Sequence, residues 1–395
     1  MKKRRFFLFS DEYSKSITIG MLLLLIFSSA MIVSANMGPV KGEYAIAEVA
    51  KTLFKQLVIV GIGFIGYSFC INFDFFKFNT KVLDKAAIFI VVFLVGTRIL
   101  TPQSIGGAYA WYNLGFFTLQ ASEVAKVFDI IFIAKMLSIR YQDDMSAEIR
   151  FKHVAAYVIV YFLIIVGWEK DLGSAVILLG MAYFMLLVPS QRGYVKFQKL
   201  MTILMLIGIV AILFVLSPGF IHWLDSLNSS NYQIQRFVVA ANPFEKRFDS
   251  GYHLVMSLVS FATGGIFGLG YGRSTHKYMN FPNPDSDFIL PVIVEELGII
   301  GFIFIIALYI AILFPMIHYA FKRESDDRAR IVLVGVSMYF ILHFILNVGG
   351  VSGLIPLTGV PILLVSYGGT QTLTSMCAIA IAQREIARIK GKANL

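Results

Sequence analysis

The sequence is poor in charged residues, cysteine and histidine. Only 15% of its 395 residues are Asp, Glu, Lys or Arg, whereas 57% are apolar; soluble domains have about 25% charged and about 45–50% apolar residues. This scarcity of charge argues against a soluble enzyme. The only two cysteines, Cys70 and Cys377, lie far apart in apolar runs, and the six histidines show no metal-ligand spacing. A disulfide framework and a cysteine- or histidine-based metal site are therefore not supported.

Long apolar runs are what the sequence has in abundance. They are about as long as the hydrocarbon core of a bilayer is thick, so they predict an all-α polytopic membrane protein with ten transmembrane helices. The first run could also be a cleaved signal peptide, but it is longer than the usual core of about 7–15 residues, and an uncleaved helix is favoured. The predicted spans are Ile17–Ala35, Leu57–Phe73, Ala86–Leu100, Val124–Leu137, Val154–Trp168, Gly173–Val188, Leu200–Leu216, Phe288–Met316, Ile331–Val348 and Pro361–Ala382.

Lys and Arg residues are unevenly distributed between the predicted loops. If the N-terminus is cytoplasmic, 22 of the 34 lie in the inward segments 1–16, 73–85, 138–152, 190–200, 318–330 and 383–395. The short outward segments 36–51, 101–118 and 350–358 contain only Lys41 and Lys51. This asymmetry follows the positive-inside rule. It predicts one membrane domain whose tails, 1–16 and 383–395, are both cytoplasmic.

One outward connection, 217–287, is much longer than the others. Its aromatic residues and a semi-apolar stretch from Tyr252 to Phe267 indicate a structured extracellular loop rather than disorder. Within it, the segment Gly268-Leu269-Gly270-Tyr271-Gly272 has a weak similarity to a phosphate-binding loop. The required Lys-Ser/Thr is missing, so we interpret the segment as a turn with close packing.

Two charged residues lie at the start of the fourth predicted span. Glu123 and Lys126 are three residues apart and therefore neighbours on one helix face. Intramembrane charges usually face a bundle interior or a cavity. The pair is either a self-neutralising structural ion pair or part of a polar cavity that receives a substrate.

Asp287 stands where the long loop meets the eighth span. It could be an N-cap for the following helix, or a general base whose pKa is raised by apolar surroundings and by the nearby Asp285. Glu295 and Glu296 follow inside the span. Two adjacent acids at membrane depth are hard to explain as surface residues.

Glycine and proline interrupt the last apolar region. They are dense in the segment from Asn347 to Pro361, and Ser366-Tyr367-Gly368-Gly369 follows. Such a segment cannot form one continuous helix. It is either a tight outer turn or a broken helix that lines a substrate site.

Several motifs together resemble one known family along nearly the whole chain. The sequence is similar to the SEDS proteins, the group of bacterial peptidoglycan polymerases that contains FtsW, RodA and SpoVE. The amino-acid sequence that follows Asn347 is more similar to FtsW than to RodA. The matching motifs are Gly107-Ala108…Trp111…Gln120…Ser122-Glu123…Lys126, Asp171-Leu172-Gly173-Ser174-Ala175, Asn242-Pro243 with Gly251-Tyr252, Ser286-Asp287-Phe288-Ile289, Glu295-Glu296-Leu297-Gly298 and the segment Asn347 to Gly369. The chain departs from the family pattern at Ala121, Lys170, His253 and Asp285.

The resemblance implies a peptidoglycan glycosyltransferase that polymerises lipid II and releases undecaprenyl diphosphate, in septal wall synthesis of a dividing bacterium. It implies Asp287 as the catalytic base. The residues expected to bind substrate are Glu123, Lys126, Arg236, Glu296 and Ser366. No organic cofactor is implied, and a divalent cation, Mg²⁺ or Mn²⁺, is left open. The implied partners are a class B penicillin-binding protein and other divisome or elongasome membrane proteins, without nucleic acid.

Two other functions suit the same residues. A lipid II flippase would also need buried charges and broken helices, and a non-catalytic scaffold would use the intramembrane acids for packing alone. The structured loop that ends at Asp287 favours the polymerase, because a flippase does not need it.

Overall fold

The described part of the chain is almost entirely helical. The computed structural model describes residues 12–37, 46–101, 104, 107–115, 118–140, 144–215, 217–226, 232–245, 251–278 and 283–393. In these residues there are thirteen α-helices: α1 Lys15–Asn36, α2 Ile46–Asn72, α3 Thr80–Leu100, α4 Ala121–Leu137, α5 Asp144–Ile164, α6 Leu172–Leu187, α7 Val195–Val215, α8 Pro218–Ser226, α9 Tyr232–Ala241, α10 Tyr252–Gly264, α11 Ile289–Ala320, α12 Asp327–Val351 and α13 Gly369–Ala393.

Short elements extend or connect these helices. A π-helical turn, Ile165–Glu169, continues α5, and 3-10 turns lie at Phe75–Lys77, Arg192–Tyr194 and His276–Tyr278. Two short antiparallel strands, β1 Trp111–Asn113 and β2 Thr118–Gln120, pair with Trp111 opposite Gln120. The hairpin ends directly at the first residue of α4, so it fixes where that helix begins.

Six segments are long and apolar enough to cross a membrane, which makes the chain a multi-pass membrane protein. They are Lys15–Asn36, Val49–Asn72, Met145–Glu169, Arg192–Val215, Ile289–Ala320 and Asp327–Val351. Helix α6 is apolar but has only 16 residues. Helix α4 has only 17 residues and carries Glu123, Lys126, Asp129 and Lys135. Since α4 is mostly buried inside the bundle, its charges contact other helices rather than lipid.

Helix α12 forms the centre of the bundle. It packs against α4, α6, α10, α11 and α13, while α2 packs on α13 and α1 packs on α11. By contrast, α7 has no buried residue in its most apolar window. An apolar helix with so little burial suits a surface that faces lipid. The polar residues of α4, α6 and α12 therefore meet inside the protein.

Helix α11 is broken at Gly298, whose φ of 67° and ψ of −169° are not helical. The segment that follows α10 fills the break: the N–H groups of Leu269 and Gly270 donate to the carbonyls of Glu295 and Glu296, and Ile299 N donates to Gly265 O. A Cβ atom at Gly298 would lie 2.1 Å from the carbonyl oxygen of Ile266. The break thus needs glycine, and its freed backbone groups are satisfied inside the protein.

Each of the ten predicted spans overlaps a helix, but three helices begin far from the predicted residue. Helices α2 and α5 begin at Ile46 and Asp144, eleven and ten residues before the predicted starts. Helix α13 begins at Gly369, eight residues after the predicted start at Pro361. Residues 354–368 are largely irregular, and Leu364 has a φ of 62°. The predicted break in this region is confirmed. The glycine-rich segment 268–272 is also confirmed as a closely packed turn, since a Cβ at Gly268 would lie 2.2 Å from Glu296 O.

Candidate functional site

Asp287 lies in a tight turn directly before α11. The N–H groups of Ser286 and Phe288 both donate to the carbonyl of Asn283. The N-cap residue of α11 is Phe288, and no side chain caps that helix end. The interpretation of Asp287 as an N-cap is therefore wrong, and its carboxylate is available for another role.

The irregular segment between α12 and α13 holds this turn in place. Tyr367 N donates to Asp285 O at 2.8 Å, and Ser366 Oγ donates to Ser286 O at 2.9 Å while accepting from Ile362 N. Ser366 thus supports the backbone beside Asp287. Its predicted contact with substrate stays a prediction.

Asn347 of α12 connects the same two segments. Its Nδ2 donates to Asp287 O at 2.8 Å and to Val360 O at 2.7 Å. Gly359, with a φ of 69°, places its backbone beside the catalytic candidate, since a Cβ atom there would lie 3.5 Å from Asp287 Oδ2. The glycine-rich region predicted as a substrate site therefore forms one wall around Asp287.

The surroundings of Asp287 suit a proton acceptor. Burial raises the pKa of its carboxyl to about 7, the negative charges of Asp171 and Asp285 also raise it, and the Ser286 hydroxyl and Arg236 lower it. A general base works best when its pKa is near the operating pH. Arg236, another of the predicted site residues, therefore acts electrostatically on Asp287.

Glu123 and Lys126 form a fully buried ion pair on α4. Lys126 Nζ donates to Glu123 Oε1 at 2.5 Å, and Tyr339 OH of α12 donates to Glu123 Oε2 at 2.5 Å. The ammonium group also lies 3.5 Å from Ser174 Oγ and 3.4 Å from His343 Nε2. The predicted polar face of α4 therefore meets polar residues of α6 and α12.

Asp171, which the sequence reasoning did not assign to the site, accepts hydrogen bonds from residues beside this ion pair and raises the pKa of Asp287. Asp171 Oδ1 accepts from Ser174 N and so caps α6, while Oδ2 accepts from Gln120 Nε2 at 2.9 Å. Gln120 Nε2 also donates to Ser174 Oγ, which lies within reach of Lys126. The negative charge of Asp171 raises the pKa of the Asp287 carboxyl, so Asp171 lies within electrostatic reach of the catalytic candidate. The Asp171-Leu172-Gly173-Ser174 motif was the signal that could have identified it.

Glu296 lies elsewhere, in a second buried cluster. Its carboxylate accepts from Lys277 Nζ at 2.7 Å, from Ser34 Oγ at 2.7 Å and from Gly272 N at 3.0 Å. Glu295 accepts from Ser274, Thr275 and His276. These contacts attach residues 272–277 to α11, and the structure does not bring Glu296 to Lys126. A substrate contact by Glu296 stays a prediction.

The side chains of the site do not form a metal centre of their own. Within the described ranges, no three His, Cys, Asp or Glu side chains converge as metal ligands. The Glu123 carboxylate already binds Lys126 and Tyr339. A divalent cation held by one carboxylate together with the phosphates of a substrate stays a prediction.

Comparison with known proteins shows similarity along nearly the whole chain. The family described as Cell cycle protein, FtsW/RodA/SpoVE, matches residues 14–390. Stage V sporulation protein E of Bacillus subtilis is 28% identical over 94% of this chain and 97% of its own length. The FtsW protein of Coxiella burnetii, named a probable peptidoglycan glycosyltransferase, is 30% identical over 75% of this chain and 77% of its own length.

A solved structure has the same fold. The chain matches, with a TM-score of 0.68 and 20% identity, a chain in a study of the structural coordination of polymerization and crosslinking by a peptidoglycan synthase complex. The match covers 95% of this chain and 98% of that one.

Proposed function

Because the chain belongs to the FtsW/RodA/SpoVE family, we propose that it is a peptidoglycan glycosyltransferase. It polymerises lipid II, a disaccharide-pentapeptide joined by diphosphate to undecaprenol, and releases undecaprenyl diphosphate. The observation that carries this proposal is the position of Asp287: Asn347 of α12 binds its carbonyl, the segment between α12 and α13 holds its turn, and burial raises the pKa of its carboxyl to about 7. The relative in Coxiella burnetii is named for glycosyl transfer, which does not favour the flippase alternative.

Asp287 is the general base of the proposed reaction. It takes the proton from the 4-hydroxyl of the acceptor GlcNAc as that oxygen attacks the anomeric carbon of the donor MurNAc. The new C–O bond forms while the bond to the diphosphate breaks, and the bond electrons leave with undecaprenyl diphosphate. Direct attack inverts the anomeric centre, so an α-linked donor gives a β-linked strand. A single carboxylate suffices because the diphosphate leaves without a proton if a cation stabilises its charge.

The cations at the site supply that stabilisation. Arg236 is close enough to Asp287 to affect its pKa, and a guanidinium matches the oxygen geometry of phosphate. Lys126 is held by Glu123, so its ammonium group has a fixed position. In the proposed complex Lys126 and Arg236 act on the donor diphosphate, with Glu123 as a positioning residue.

Reconstitution with lipid II tests the activity directly. Purified full-length protein in liposomes should convert lipid II into glycan strands that a muramidase degrades, and undecaprenyl diphosphate should accumulate in equal amount to the linkages formed. Translocation of lipid II without any glycan product would contradict the proposal and support the flippase.

The proposed topology places the reaction on the outer face of the cytoplasmic membrane. It has ten crossings within a single domain (1–395), a cytoplasmic N-terminal tail (1–16), residues 217–287 outside, and a cytoplasmic C-terminal tail (383–395). The positive-inside distribution of Lys and Arg supports it. In a variant without Cys70 and Cys377, Ser226→Cys should react with an impermeant thiol reagent in intact cells and Glu324→Cys should not. Both positions are exposed, so the reverse labelling pattern would show that the orientation is wrong.

The proposed partner is a class B penicillin-binding protein, which would crosslink the strands. The fold match to a chain of a peptidoglycan synthase complex supports this proposal. Affinity purification in mild detergent should recover the partner. Its absence, with full polymerase activity of the chain alone, would contradict this part of the proposal.

A further inference from the structure

Arg98, in the last turn of α3, lies between two aromatic rings. Its Cζ is 4.9 Å from the centroid of the Tyr109 ring and 5.1 Å from that of Trp168. Trp168 is itself fixed, because its Nε1 donates to Val95 O at 2.9 Å. Stacking on aromatic faces orients a guanidinium and leaves the N–H groups at its edge free to bind. Among the residues that the structure describes, Arg98 forms no ion pair or hydrogen bond.

A second cation, Lys170, lies near the ring of Tyr109. Lys170 Nζ is 6.0 Å from the Tyr109 centroid, and the exposed Lys170 has no carboxylate partner in the described part of the chain. Its backbone is left-handed, with a φ of 59°, a conformation that is uncommon for residues other than glycine. Glu169 is fully buried and pairs with neither cation. Two positive groups at one ring repel each other unless an anion lies between or beside them.

Apolar side chains surround these cations on the outside of the bundle. Ile99 and Leu100, next to Arg98, are 66% and 73% exposed, and Trp168 is 38% exposed. A water-soluble anion would leave these side chains uncovered, whereas a lipid would cover them with its chain and place its charged group at the cations. Exposed aliphatic residues beside a stacked arginine therefore favour an amphipathic anion.

We propose that Arg98, Lys170 and Tyr109 form a binding site for the phosphate group of a membrane lipid. The guanidinium edge of Arg98 binds two phosphate oxygens, and Lys170 adds a point charge. The site adjoins Asp171, since Lys170 directly precedes it and Tyr109 N donates to Glu169 O. The lipid is either a polyprenyl diphosphate, which rests on the function proposed above, or an ordinary anionic phospholipid.

Lipid binding without turnover tests the site and does not depend on the glycosyltransferase activity. The full-length protein in neutral detergent is titrated with undecaprenyl diphosphate, phosphatidylglycerol or undecaprenol, and bound lipid is counted by native mass spectrometry. The test protein carries Arg98→Gln and Lys170→Gln. The matched control is Lys55→Gln, which removes an exposed lysine of α2 that contacts no aromatic ring in the described structure.

We expect the double variant to bind a phosphate-bearing lipid about tenfold more weakly than wild type and the control, since charge-assisted hydrogen bonds contribute more than neutral ones. Binding of undecaprenol should not change. Tyr109→Leu keeps both charges but removes the shared ring, and it should weaken binding of the same lipid. The Tm of each variant is measured, and binding is compared only between variants of equal Tm. This separates a binding defect from misfolding.

The two lipid sources give different results. A loss confined to undecaprenyl diphosphate assigns the site to the substrate or product lipid, and an equal loss for phosphatidylglycerol assigns it to anionic phospholipids in general. If neither lipid binds more weakly to the folded double variant than to the Lys55→Gln control, the site is wrong. That result would leave the proposed polymerase activity intact, because activity is measured separately with lipid II.

Discussion

Two buried clusters of acids and bases differ in how completely their partners lie within the chain. In the cluster of Glu295, Glu296 and Lys277, the carboxylate oxygens accept hydrogen bonds from residues 272–277 and Ser34. Around Glu123, Lys126 and Asp287, several polar atoms have no partner in the described structure: Ser122 Oγ, Asn347 Oδ1 and both carboxylate oxygens of Glu169.

This difference separates a structural cluster from a candidate site. Buried polar groups in folded proteins are nearly always hydrogen-bonded, so a bound molecule is expected to supply the partners that Ser122, Asn347 and Glu169 lack. Unsatisfied atoms such as Gln56 Oε1 and Tyr183 OH also occur elsewhere in the described structure. The satisfied cluster instead attaches a loop to the break in α11. The same residue types therefore serve two purposes, and the completeness of their hydrogen bonding indicates which.

A large loss of activity is expected from Lys126→Met. This change should reduce polymerisation of lipid II by about 100-fold or more, since removing one donor that stabilises developing charge has an effect of this size. It should also weaken lipid II binding. Initial rates and binding are compared with those of Lys277→Met, which makes the same replacement in the other cluster. Equal residual activity in the two variants would remove the distinction between the clusters.

Lys277→Met should act on stability rather than on catalysis. It leaves the fully buried Glu296 carboxylate without its cation, and breaking a buried pair costs about 3–5 kcal/mol of unfolding free energy. Thermal unfolding in detergent should show a lower Tm, with normal polymerisation per folded molecule at a temperature where the variant is folded. A fully folded but inactive Lys277→Met protein would instead support the predicted contact of Glu296 with substrate.

A smaller effect is expected for Asp171→Asn. Asparagine can still cap α6, but the negative charge that raises the pKa of Asp287 is lost. The base must be deprotonated to act, so wild-type kcat/KM should rise with pH through about 7. In the variant this rise of kcat/KM should occur at lower pH. If kcat/KM rose at the same pH as in wild type, or at higher pH, Asp171 would not act on the base.

The sequence predicted the helices well because the apolar runs are long and the charge asymmetry is consistent. It placed the start of α13 eight residues too early, because residues 361–368 are apolar enough to extend the run. In the structure Ile362 N instead donates to Ser366 Oγ. Periodicity contains no information about such a side-chain contact. The π-helical turn at Ile165–Glu169 and the hairpin before α4 have no strong local signal either.

The site residues remain predictions. Glu123, Lys126 and Asp287 were proposed from charge near the membrane and from family motifs, and Arg236 from its place in the long outward loop. Glu296 was grouped with them because adjacent acids in a span looked functional, and no spacing rule revealed that Ser34 and Lys277 fold onto it. Asp171 was overlooked as a site residue because an acid at a helix start looks like an ordinary cap until the structure shows its second contact, with Gln120.

The most direct test of the central claim is polymerisation of lipid II by Asp287→Asn beside Asp285→Asn. At about pH 8 the wild-type base is largely deprotonated, and its loss should lower the rate by about 10²–10⁴-fold. Asp287→Asn should remain folded and bind lipid II, because asparagine keeps the shape but cannot accept the proton. Asp285→Asn, two residues away in the same turn, should retain most activity. Near-normal polymerisation by Asp287→Asn would contradict the assignment of the base and the account built on it.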